Sequence, residues 1–117
     1  KVDNLYLVSS MGADEKSVVL YSRIKGQIEF LANNLGFKSV NILRPSLLLG
    51  NRNETRSGEK FAQTLLRPLG FMFSGPLLKY RAIEADLVAR RLAEISISPK
   101  FGRFVFENDQ LFKGFNL

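Results

Sequence analysis

Apolar and polar positions follow one another along the chain in blocks that read strand, helix, strand, helix, helix, strand. Asn4 to Ser9 (NLYLVS) is a short apolar run bounded by polar residues, the signature of a buried strand. Ser9 to Ser17 is rich in serine, glycine and aspartate and reads as a loop. Ser17 to Leu35 reads as a helix, because Ile24, Ile28, Leu31 and Leu35 recur at spacings of four, three and four. That stripe is expected to be the buried face, and Gly36 follows where a helix commonly ends. Val40 to Leu43 is a second buried strand, stopped by Arg44-Pro45. Strand, helix and strand at this spacing form a βαβ unit, so the two strands should run parallel.

Beyond it, Ser46 to Gly58 reads as a loop, apolar at first and then strongly polar. Glu59 to Leu66 reads as a short helix, and Pro68 to Pro76 is broken by glycine and proline. Ala85 to Ile95 is a second amphipathic helix, with Val88, Leu92 and Ile95 along one side. Arg103 to Glu107 is the last strand, and Asn108 to Phe115 a terminal turn or two of helix. The sum is an α/β fold with a parallel sheet. Such a sheet needs cover on both faces, and these helices are expected to cover one face well.

With 117 residues and 13.2 kDa the chain suits one domain at most. Hydrophobic residues make up 45% and charged residues 24%, a globular mix that excludes disorder. The absence of cysteine excludes disulfides and thiolate metal sites and fits a reducing compartment, so a cytoplasmic location is expected. The absence of histidine removes Ser-His catalysis and the commonest metal ligand, and no metal is expected. Acid–base chemistry near neutrality then falls to a carboxylate, a lysine or a tyrosine. No apolar run approaches the length of a membrane span, and no membrane partner is expected. The net charge of +6 invites a polyanion. Its lysines and arginines are scattered, however, and no aromatic residues interleave with a basic stripe, so nucleic acid is disfavoured and a solvated surface expected.

Three constellations could carry chemistry. Tyr21 and Lys25 lie four apart on the first helix, about 40° apart around its axis, with Tyr21 about 50° and Lys25 about 90° from the centre of the apolar stripe. An ammonium beside a phenol favours the phenolate and brings a group of pKa about 10 toward neutrality, where it can exchange a proton with a carbonyl or alcohol. A tyrosine packed on the helix flank beside a surface lysine is the plainer alternative. Ser9 and Ser10 stand at the C-terminal end of the first strand, the edge where parallel sheets bind ligands. A hydroxyl there could orient a carbonyl, or simply serve its own turn. Arg44-Pro45-Ser-Leu-Leu-Leu-Gly50 leaves the second strand at the same edge. Its leucines could wall a flat ring, and Arg52 or Arg56 could bind phosphate; packing and solvation are the alternative.

SSMGAD, YSRIKGQIE and LRPSLLLGNRNETRSGE, in that order and spacing, resemble the Tat-interactive protein 2 type of atypical short-chain dehydrogenase/reductase, a branch with NmrA-like relatives. The resemblance runs from about Leu5 to the last helix. It implies a Rossmann-like parallel sheet with flanking helices, binding NAD(P), with NADP favoured over NAD. It makes Tyr21 the proton donor or acceptor, with Lys25 lowering its pKa and holding the nicotinamide ribose. Ser10, or less so Ser9, would orient the substrate carbonyl. Pro45 and Leu48 would lie at the nicotinamide, and Arg56 would face the anionic part of the cofactor. The implied substrate is a small carbonyl or alcohol. The alternative role within the same branch is a non-catalytic, nucleotide-sensing module that contacts other proteins. The chain departs from the pattern in one respect: no two glycines have even GxG spacing, so the phosphate-binding turn of the family is missing. Residues 1–117 are therefore expected to be the C-terminal half of one Rossmann-type domain, without the N-terminal cofactor-binding half. A protein partner or a second copy is a further candidate, expected at the exposed sheet edge if residues 1–117 are the whole polypeptide.

Overall fold

The computed structural model describes residues 2–50 and 81–114. Strand β1 (Asn4–Val8) leads through a loop to helix α1 (Leu20–Asn33), then to strand β2 (Ser39–Arg44) and the two-residue strand β3 (Leu48–Leu49). After the undescribed stretch come β4 (Ile83–Glu84), α2 (Ala85–Ile97), β5 (Gly102–Glu107) and the short α3 (Asn108–Lys113). The main sheet has the order β1-β2-β5 and is parallel throughout, with Leu5 opposite Val40 and Val40 opposite Arg103. A separate pair joins β3 to β4, also in parallel. The sequence expectation of a parallel α/β sheet with flanking helices therefore holds. The expected helix at Glu59–Leu66 lies outside the described residues.

Central placement explains why β2 is nearly continuous in apolar character: its neighbours and both layers bury it from Ser39 to Leu43. Alternation divides its side chains between two cores. Val40 and Ile42, with Leu5, Leu7 and Phe37, pack with Ala32 of α1. Leu43, with Tyr6, Val8 and Phe106, packs with Val88 and Ile95 of α2 and Leu111 of α3. The helices thus stand on both faces of the sheet, one more than the sequence suggested. Val88, Leu92 and Ile95 do form the inward side of α2, as their spacing predicts.

The first helix differs from its expected packing. It is shorter at both ends than Ser17 to Leu35, beginning after a hydrogen bond from the Val19 amide to Ser17 Oγ and ending before Gly36, whose φ is +89°. More consequentially, its apolar stripe does not face the sheet: Ile24, Ile28, Leu31 and Leu35 are all exposed, Leu31 by 59%. The buried residues of α1 are Gly26, Glu29 and Ala32. Two are small, which lets the helix approach closely, and the third is charged and paired. A stripe reports that a helix has an apolar side; contact with the sheet here is made by the neighbouring side, roughly a third of a turn round.

Candidate active site

The parallel strands of the main sheet end at Val8, Arg44 and Glu107, and the loops leaving β1 and β2 at that edge are bonded to one another. The Ser9 amide donates to the Leu43 carbonyl at 2.7 Å, and the Met11 amide to the Pro45 carbonyl at 2.9 Å. Between these bonds, the hydroxyls of Ser9 and Ser10 are buried and have no hydrogen-bond partner among the described residues. Two buried hydroxyls without partners are costly for a fold to keep, and their place at the strand ends is the edge where parallel sheets take ligands.

The loop from Ser10 is then fixed to α1. The Asp14 amide donates to the Ser22 carbonyl at 3.0 Å, and the Asp14–Glu15 backbone lies directly over Gly26. A Cβ at Gly26 would stand 2.2 Å from the Glu15 nitrogen, so only glycine admits the crossing. Tyr21 and Lys25 flank this attachment. The Lys25 nitrogen lies 5.6 Å from the centre of the Tyr21 ring, a cation–π distance. Tyr21 is 62% exposed and Lys25 half-buried, so the pair is accessible. The angles that put it on the shoulder of a buried stripe do not explain this, because that stripe is itself exposed and Lys25 lies nearer the packed side of Gly26, Glu29 and Ala32. Lys25 has no ion pair among the described residues, which leaves its ammonium open to an anion.

Across the edge, Pro45 is fully buried, whereas Leu48 is exposed on β3. Bonds to residues at the start of β4 and of α3 hold this segment. The Ser46 amide donates to Asn108 Oδ1 at 3.0 Å, the Ile83 amide to the Leu47 carbonyl at 2.9 Å, and the Ser46 hydroxyl to the Arg81 carbonyl at 2.5 Å. Asn108, almost wholly buried, also donates to the Arg81 carbonyl at 2.6 Å. Arg56 and Arg52 lie outside the described residues.

Sequence reasoning missed a cluster just behind this edge. Arg44 donates to both carboxylate oxygens of Glu29, at 2.6 and 3.1 Å, and to Glu107 at 3.0 Å. It thereby ties α1 to the ends of β2 and β5. Its two carboxylate partners raise the Arg44 pKa, chiefly through the Glu29 hydrogen bonds and against the lowering effect of burial. The signal was present in the sequence: Glu29 sits between Gly26 and Ala32 at helical spacing, a charge on a side otherwise made of small residues.

No family model matches the chain. Curated relatives do. It is 43% identical over 84 residues to Protein fmp52-1, mitochondrial, of Aspergillus terreus, covering 72% of this chain and 36% of that protein. It is 32% identical over 97 residues to Protein HTATIP2 of Rattus norvegicus, covering 83% of this chain and 38% of that protein. A third match, Protein FMP52, mitochondrial, of Candida albicans, is 48% identical over 60 residues and covers 26% of that protein. The expected cytoplasmic location is overturned here, since the fmp52 relatives are named as mitochondrial. Lack of cysteine speaks only of redox conditions and does not separate one reducing compartment from another. The chain spans a little over a third of the length of the fmp52-1 and HTATIP2 relatives, and over that third its sequence is similar to theirs.

Proposed function

We propose that this chain is the part of an NAD(P)-dependent oxidoreductase, of the atypical short-chain dehydrogenase/reductase type, that bears the proton-transfer residues. Residues 1–117 would then be the C-terminal half of one Rossmann-type domain, and the mitochondrial names of its relatives favour a mitochondrial location. The observation that carries the reading is the Tyr21–Lys25 pair, attached through the Asp14 loop to two buried, unpartnered serine hydroxyls at the strand ends.

The residues present fit one end of a dinucleotide. An unpaired ammonium and two free hydroxyls suit a ribose and a carbonyl, while the glycine turn for the pyrophosphate is not in this sequence. A bound nicotinamide supplies or accepts the hydride at the carbon of the substrate. In the reducing direction Tyr21 gives its phenolic proton to the carbonyl oxygen, producing the alcohol, and regains a proton from solvent. Lys25, whose ammonium lies 5.6 Å from the Tyr21 ring centre, would offset the negative charge left on the Tyr21 oxygen and donate hydrogen bonds to the ribose. Ser10, with Ser9 as the second choice, donates to the carbonyl oxygen and orients it for the transfer. Leu48 would wall the ring, buried Pro45 would fix the turn that presents it, and Arg56 would serve the anionic part of the cofactor, with NADP favoured over NAD.

The test is Tyr21→Phe in the full-length protein. Turnover on a panel of carbonyl substrates should fall by about a hundredfold or more while NADPH binding persists. Full activity in that variant would refute the assignment. Binding of NADPH with no turnover even in the parent protein would point instead to a nucleotide-sensing module.

A further inference from the structure

Lys25 and Glu29 stand four residues apart on α1, the spacing at which helical side chains meet and oppositely charged ones pair. They do not pair: both oxygens of Glu29 are taken by Arg44, reaching from the end of β2. Glu29 is buried, with 8% of its side chain exposed, so its carboxylate depends on a cation. Arg44 is planar, reaches Glu29 from the end of β2, and engages both carboxylate oxygens at once. Without it, the cation one turn away on the same helix would be the nearest remedy for a buried charge.

We propose that Arg44 keeps the Glu29 carboxylate off Lys25, so that the ammonium stays available to the Tyr21 phenol and to an anionic ligand. The role assigned to that ammonium rests on the oxidoreductase reading above, whereas the diversion of Glu29 does not. Arg44 is thus a positioning residue that acts through Glu29 and touches no reacting atom. The other charged groups near this part of the helix are Arg23 on α1 itself and Asp14, Glu15 and Lys16 on the loop packed over Gly26, with Glu107 facing Arg44 from the end of β5. The test must therefore separate Glu29 from the neighbouring carboxylates.

The measurement is the acylation rate of Lys25 at pH 8 by an N-hydroxysuccinimide ester, read by peptide mass spectrometry on the full chain. A paired ammonium gives up its proton less readily and reacts more slowly. Arg44→Met should slow Lys25 about twofold, the scale of a helical i,i+4 pair in the weaker Lys-before-Glu order. Adding Glu29→Gln to Arg44→Met should restore the parent rate. General loosening of the helix would speed the reaction, the opposite sign, and circular dichroism checks that the fold persists. If Arg44→Met does not fold, the same pair is built on Arg44→Gln. An unchanged or faster rate in the folded single variant overturns the proposal, as does a double variant that stays slow. Either result leaves the Tyr21→Phe test of the oxidoreductase reading untouched.

Discussion

The ammonium of Lys25 sits 5.6 Å from the centre of the Tyr21 ring, one turn further along the same helix. If the pair acts in proton transfer, removing the cation should cost turnover more than affinity. Lys25→Met is expected to lower kcat for carbonyl reduction about a hundredfold. Lys25→Arg, which keeps a charge but not its shape, should recover part of that loss. Steady-state rates on the full-length protein, alongside NADPH titrations, provide the comparison.

Arg44 should contribute to stability at all ordinary pH. Its pKa is raised in the folded state by Glu29 and Glu107, so its contribution is complete below the ordinary arginine range and is lost only as pH climbs above it. Arg44→Met is therefore expected to cost about 2 kcal/mol, somewhat below the range for fully buried pairs because a quarter of the arginine side chain is exposed. Urea melts at pH 6, 7.5 and 9 should show the same loss at each. A loss confined to one end of that range would contradict the assignment.

At Gly26 even a methyl group has nowhere to go. Alanine favours a helix interior by about 1 kcal/mol over glycine. Here its Cβ would meet the Asp14–Glu15 backbone at 2.2 to 2.3 Å, and backbone cannot swing aside as a side-chain tip can. Gly26→Ala should therefore be destabilising by about 1–2 kcal/mol net, seen as a lower urea midpoint with unchanged slope. A stabilised variant would mean that the loop does not cross the helix there.

Two isoleucines offer a paired control on the orientation of α1. Ile42 is 1% exposed beneath the helix, and Ile28 is 41% exposed on its stripe. Ile42→Ala should cost about 2–5 kcal/mol. Ile28→Ala should cost this chain about 0.5 kcal/mol or less, as surface changes generally do. Equal losses at both positions would mean that the stripe is covered.

That orientation is also where sequence reading reached its limit. The strands at Asn4–Val8 and Ser39–Arg44 were legible because burial on both faces leaves an uninterrupted apolar run, and their parallel sense follows from the helix between them. The Tyr21–Lys25 pair was legible from spacing alone. The packing side of α1 was not, since four aliphatic residues in register outweigh a glycine, a glutamate and an alanine on any hydrophobicity scale. What decided the side was steric and ionic: Gly26 admits the loop, and Glu29 meets an arginine fifteen residues on. The orphaned hydroxyls of Ser9 and Ser10 could be placed at the strand end but not known to lack partners, which depends on the loops around them.

Arg44 draws its partners from residues 29 and 107, positions that leave the ribosome far apart in time. The bond to Glu29 closes a loop of fifteen residues, and the bond to Glu107 one of sixty-three. Short closures cost less chain entropy than long ones. During synthesis the helix would be fastened to its strand early, and the last strand would be checked against the same guanidinium afterwards. One arginine is thus half satisfied once β2 has docked on α1 and fully satisfied only when β5 joins them.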